Sequence, residues 1–78
     1  MVDFRVRVIT AKQQPVEGVR VVMEFTKLTL DTIRRVFTDT NGYAHFEEQA
    51  EGEVNISVMG TKYGTYQCLN GTSITVVI

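Results

Sequence analysis

His45 and Cys68 are the only histidine and the only cysteine in this 78-residue chain. Acid–base or nucleophilic work by either one needs a second group to orient it and shift its proton affinity. No Ser-His-Asp or Cys-His grouping can be assembled around them from the order of residues. His45 alternates with Ala44 and Phe46 and so faces outward beside Tyr43. Cys68, between Gln67 and Leu69 on an apolar parity, reads as a small buried core residue. A single thiol rules out an intrachain disulfide and a thiolate metal cage. The stretch Asp39-Thr40-Asn41-Gly42 has the opening of a calcium loop. The twelfth position from Asp39 is Ala50, however, where an EF-hand needs a bidentate Glu. Turn chemistry accounts for Asp39 and Asn41 without a cation, and no metal or cofactor is expected.

The remaining side chains with binding chemistry are tyrosines. Aromatic rings with polar tips suit carbohydrate stacking, which makes Tyr43, Tyr63 and Tyr66 the candidate ligand contacts. Asn55-Ile56-Ser57 and Asn70-Gly71-Thr72 fit the glycosylation acceptor pattern, which matters only in a eukaryotic secretory setting. The chain has no Gly-rich phosphate loop and no basic-aromatic stripe, so nucleotide cofactors and nucleic acid are disfavoured.

The elements that must position these groups alternate with period two. Val2, Phe4, Val6 and Val8 share one face of a first strand, and Val19, Val21, Met23 and Phe25 share one face of a second. Between them Pro15 and Gly18 break the pattern. Residues 27–38 are less regular, because Leu28 and Leu30 share one parity and Ile33 and Phe37 the other. A bulge or turn near Asp31-Thr32 resolves this, and a helix over 28–36 is disfavoured by its mixed polarity. Asn41-Gly42 and Asn70-Gly71 are hairpin signals. Ala44 and Phe46, then Val54, Ile56 and Val58, then Tyr66 and Cys68, then Ile74, Val76 and Ile78 supply further inner faces, with Gly60-Thr61-Lys62 turning the chain.

Composition agrees with one folded domain over residues 1–78. It is 44% hydrophobic and 22% charged, and no apolar run approaches the roughly 20 residues that cross a bilayer. The first five residues lack the basic and apolar run of a signal peptide, and the compartment stays open. Net charge is −1, but residues 1–38 carry seven Lys/Arg against four acids, and residues 39–78 carry Lys62 against five acids. Six or seven short strands with frequent turn signals describe an all-β fold, here a seven-stranded, Ig-like or prealbumin-like antiparallel β-sandwich.

Four stretches in order carry a resemblance: Arg7-Val8-Ile9, Pro15-Val16-Glu17-Gly18-Val19-Arg20-Val21, Thr38-Asp39-Thr40-Asn41-Gly42-Tyr43-Ala44-His45-Phe46 and Glu51-Gly52-Glu53-Val54-Asn55-Ile56-Ser57-Val58. Together they resemble the carboxypeptidase regulatory-like and Cna-B-type modules of the transthyretin-like β-sandwich superfamily. The resemblance implies a non-enzymatic spacer, stalk or adhesive unit of a cell-surface, secreted or virion protein. Cna-B-type modules often carry an internal isopeptide from a first-strand Lys to a last-strand Asn. Here the first strand offers Arg5 and Arg7, Lys12 lies in a loop and Asn70 in a turn, so no crosslink is expected. Two roles follow. One is a structural and interaction module that meets neighbouring domains or protein partners, or a second copy through its edge strands. The other is a carbohydrate- or ligand-binding accessory domain using the tyrosines.

Overall fold

A computed structural model describes residues 1–27 and 33–78. Seven strands follow one another: β1 (Val2–Ile9), β2 (Arg20–Phe25), β3 (Ile33–Phe37), β4 (Tyr43–Glu48), β5 (Gly52–Val58), β6 (Thr61–Cys68) and β7 (Thr72–Val77). They form a three-stranded sheet, β4-β1-β7, and a four-stranded sheet, β3-β2-β5-β6. The sheets bury their inner faces against each other. Phe4, Val6 and Val8 of β1 and Ala44 and Phe46 of β4 meet Val21, Met23, Val54, Ile56 and Val58 of the opposite sheet. Each of the larger of these removes enough apolar surface from water to stabilise the fold by about 1.5–3 kcal/mol. No helix of the described residues is long and apolar enough to cross a membrane.

The strands reverse direction at every connection, and this parity dictates the pairing. Strands an odd number of steps apart run oppositely, as in β1–β4, β2–β3, β2–β5 and β5–β6. Strands β1 and β7 are six steps apart and pair in parallel, with Phe4 opposite Thr72 and Ile9 opposite Val77. The sandwich is therefore not wholly antiparallel as expected, because one of its five strand pairings joins the first strand to the last, which no hairpin links.

The same alternation separates the poles. One pole holds Met1, the end of β2, the start of β3, the β4–β5 and β6–β7 connections and the start of β1. The other holds the β1–β2, β3–β4 and β5–β6 connections and Ile78, whose N–H donates to the Ile9 carbonyl at 2.9 Å. We call them the N-pole and the C-pole.

Both Asn-Gly signals mark tight turns, but neither closes a hairpin. Each joins strands in different sheets, β3 to β4 and β6 to β7. An Asn-Gly pair sets local φ and does not decide which sheet receives the next strand. At the first corner the Asp39 carboxylate accepts the N–H groups of Asn41 and Tyr43 at 2.9 and 3.0 Å, and Gly42 takes φ 81°. The two-residue hairpin is Met59-Gly60, one residue before the expected turn, with Val58 paired to Thr61. Its φ values of 51° and 85° give the left-handed pair that a type I′ turn needs.

Strand β3 also corrects its sequence reading. Its register places Arg34 opposite Met23 and Val36 opposite Val21, so Arg34 and Val36 share the inner parity, and Ile33 and Phe37 face outward. The inward Arg34 Nε donates to the buried Glu48 carboxylate at 3.2 Å and clasps the two sheets along the β3/β4 side. An ion pair thus occupies a position where alternation anticipates an apolar residue. The expected break at Asp31-Thr32 lies outside the described residues.

Candidate functional site

The outer face of the three-stranded sheet holds two of the side chains singled out for chemistry, His45 and Tyr43. Register sets His45 beside Arg5 and Tyr43 beside Arg7, with Ser73 and Thr75 on the far side of β1. His45 Nε2 lies 2.5 Å from the Asp3 Oδ1, one diagonal step along β1, and both side chains are about half exposed. Arg5 completes the row with its guanidinium 4.0 Å from the same carboxylate. Sequence reading missed this His–Asp pair, since outward parity was visible on both strands but their register was not.

A His–Asp pair is two parts of a nucleophilic triad. The third part is missing in geometry: Ser73 stands two strands from His45, roughly 10 Å away at the usual strand spacing, beyond any hydrogen bond. Among the described residues there is also no cleft that would exclude water around the pair. On an open sheet face the pair's chemistry is that of an exposed ion pair or hydrogen bond, worth at most about 1 kcal/mol.

The three tyrosines do not form one platform. Tyr43 faces outward on β4, with the Arg7 guanidinium 5.6 Å from its ring centroid, within cation–π range. Arg7 Nε is buried without a hydrogen-bond partner. Tyr63 and Tyr66 belong to the other sheet, are half-buried and pack against the core. Tyr66 stands opposite the inward Val54 on the parity of Cys68, and a β-bulge sets the placement of Tyr63. Gly64 pairs with Ile56 but Lys62 pairs with Ser57, so Tyr63 is the extra residue and parity shifts across it.

Cys68 is fully buried. Burial pushes its thiol pKa up, and the carboxylates of Glu48 and Glu51 push it further the same way. That is the environment of an inert structural thiol. Among the described residues no three His, Cys, Asp or Glu side chains converge as metal ligands. The Asp39 Oδ1 is occupied by the two backbone N–H groups of its own turn. Lys12 follows β1 at the C-pole and Asn70 precedes β7 at the N-pole, where its side chain accepts the Asp3 N–H at 2.9 Å.

The sheet edges differ in charge. β3 presents Arg34 and Arg35, β4 presents His45, Glu47 and Glu48, and β6 presents Lys62, whereas β7 reads Thr-Ser-Ile-Thr-Val-Val. Charges on edge strands discourage addition of a foreign strand, so β7 is the edge left chemically open to it.

The fold recurs in a solved structure. The structure of the Bacillus anthracis TIE protein superposes on 99% of this chain with a TM-score of 0.71 at 9% sequence identity. The chain spans 16% of that protein's length, so the shared feature is a β-sandwich of this form within a much longer polypeptide. No protein-family model matches the chain, and no curated protein matches it.

Proposed function

We propose that this chain is a non-enzymatic structural and interaction module, a spacer, stalk or adhesive sandwich of the carboxypeptidase regulatory-like or Cna-B type in a cell-surface, secreted or virion protein. One observation carries the reading: an odd number of alternating strands sets Met1 and Ile78 at opposite poles. A polypeptide threaded through such a unit enters at one end and leaves at the other, as a spacer requires. The sandwich that accounts for 16% of the TIE protein chain supports the same reading. So does the open placement of His45 and Asp3, out of reach of Ser73. Partners then meet the module through its poles, its outer faces or the uncharged β7 edge.

The test is a turnover panel of esters, amides, phosphates and glycosides, run on the native chain and on His45→Ala. The module reading expects no difference between them. Turnover that disappears with His45→Ala would contradict it.

An accessory role in binding carbohydrate or another ligand is favoured by one feature, the outward Tyr43 ring beside Arg7. Titration with a polysaccharide panel examines it, and binding abolished by Tyr43→Ala is the expected signature. No binding by any polysaccharide would remove this second reading.

A further inference from the structure

All the large hydrophobic side chains that stand exposed among the described residues lie at the poles. Phe37 (64%), Met59 (55%) and Val77 (52%) are at the C-pole, and Met1 (81%) and Leu69 (42%) are at the N-pole. The sheet faces between them carry none. Exposed apolar side chains collected at two defined places, each with charged neighbours, have the composition of an interface centre and its rim.

The charges sort the same way. At the C-pole Arg7, Lys12, Arg20, Arg35 and Lys62 outnumber Glu17 and Asp39. Among the described residues at the N-pole Asp3, Glu24, Glu47, Glu51 and Glu53 outnumber Lys27 and Arg5, which reaches Asp3, and the buried Glu48 is spent on Arg34. Folding therefore turns the charge asymmetry of the sequence into a basic end and an acidic end.

We infer that the two poles are the halves of one head-to-tail interface and that its occupant is a second copy of this chain. The inference rests on the module reading and deepens it. The C-pole of one copy, with Phe37 and Met59 among Arg20, Arg35 and Lys62, seats on the N-pole of the next, with Met1 and Leu69 among Asp3, Glu47 and Glu51. The contact is heterologous, so it leaves a free pole at each end and propagates along the strand direction. That is the direction in which a threaded chain continues. Opposite charge fixes the polarity, because two C-poles or two N-poles repel.

The experiment is light scattering and sedimentation velocity on the native chain at millimolar concentration, in about 10 mM and about 1 M salt, where the Debye length is roughly 30 and 3 Å. The mass should exceed 8.8 kDa at low salt, and the association constant should fall by about tenfold or more at high salt. Two variants provide the polarity test. Arg20→Glu/Lys62→Glu makes both poles acidic, and Glu24→Lys/Glu47→Lys/Glu51→Lys makes both basic. Each alone should be monomeric, with the native circular dichroism spectrum, and an equimolar mixture should associate. A native chain that is monomeric at low salt, a mixture that stays monomeric, or a pole variant that associates as the native chain does would each overturn the interface. So would loss of association on Thr75→Lys alone, which would assign it to the β7 edge. None of these results bears on the turnover panel, so failure of this interface and failure of the module reading are separately visible.

Discussion

Gly42→Ala should cost far more than its single methyl suggests. Gly42 holds φ +81°, and a Cβ there would sit 2.6 Å from the Val8 carbonyl oxygen and 3.2 Å from Pro15 Cβ and Val16 N. The left-handed conformation costs a non-glycine residue about 1–2 kcal/mol. The clash is with backbone that cannot step aside. Val8 is bonded on both sides, its N–H to the Gly42 carbonyl at 2.7 Å and its own carbonyl to the Val16 N–H at 3.0 Å. Moving it loses at least one backbone hydrogen bond, worth about 0.5–1.5 kcal/mol net. The sum is about 1.5–3.5 kcal/mol, against roughly 4–12 kcal/mol of total stability for a domain of this size. Gly60→Ala is the control, since Gly60 has a similar φ of +85° and open space around it, and it should cost only about 1–2 kcal/mol. Urea and thermal unfolding followed by circular dichroism measure both. A midpoint lowered by roughly 10–25 °C for Gly42→Ala is expected. Equal losses in the two variants would refute the claim that the β3–β4 corner is pressed against β1 and the β1–β2 loop.

Further outcomes follow from the same geometry. Arg34→Met strands the buried Glu48 carboxylate, so urea denaturation should show a loss of about 1–3 kcal/mol, less than for a fully buried pair because Arg34 is half exposed. Adding Glu48→Met should recover most of that loss, and additive losses would show that the clasp is not a coupled pair. The raised Cys68 pKa favours the neutral thiol in the folded state, so the unfolded chain releases its proton first as pH rises. Stability from this group is complete below the unfolded thiol's value, about 8.5, and is lost as pH climbs through the folded value. The alkaline decline in unfolding free energy should be shallower in Cys68→Ala, and an identical slope would contradict the burial argument. Thr75→Lys places a charge on the open β7 edge and should slow aggregation on heating without moving the unfolding midpoint. An unchanged aggregation rate would remove that edge as the point of addition.

Alternation made much of the sandwich readable in advance, and its failures have identifiable causes. Val2, Phe4, Val6 and Val8, or Val54, Ile56 and Val58, announce their inner face because every inward position is apolar. β3 does not, because its inward Arg34 is matched by Glu48 and its outward Phe37 stays exposed at a pole. Turn residues report local φ, so Asn41-Gly42 and Asn70-Gly71 were visible as turns and silent about crossing between sheets. Glu48 shares the parity of Ala44 and Phe46, but the acidic run of residues 47–53 around Gly52 reads as a loop, so the end of β4 and its buried carboxylate were not visible. The His45–Asp3 pair and the parallel β1–β7 contact depend on register between distant strands, which alternation does not encode. Tyr66 faces inward on the parity it shares with Cys68, as alternation shows, whereas the placement of Tyr63 depends on one bulged residue on β6 that alternation does not reveal.

The threaded spacer depends most on the placement of residues 1 and 78, and a distance between them tests it directly. Cysteines at positions 1 and 78 in a Cys68→Ala background carry spin labels for a dipolar distance measurement. Ile78 is bonded to Ile9, so the separation should match the length of β1, about 26 Å between backbones at 3.3 Å per residue. A separation under about 15 Å would put both ends at one pole, and the threaded spacer and its head-to-tail interface would be wrong together.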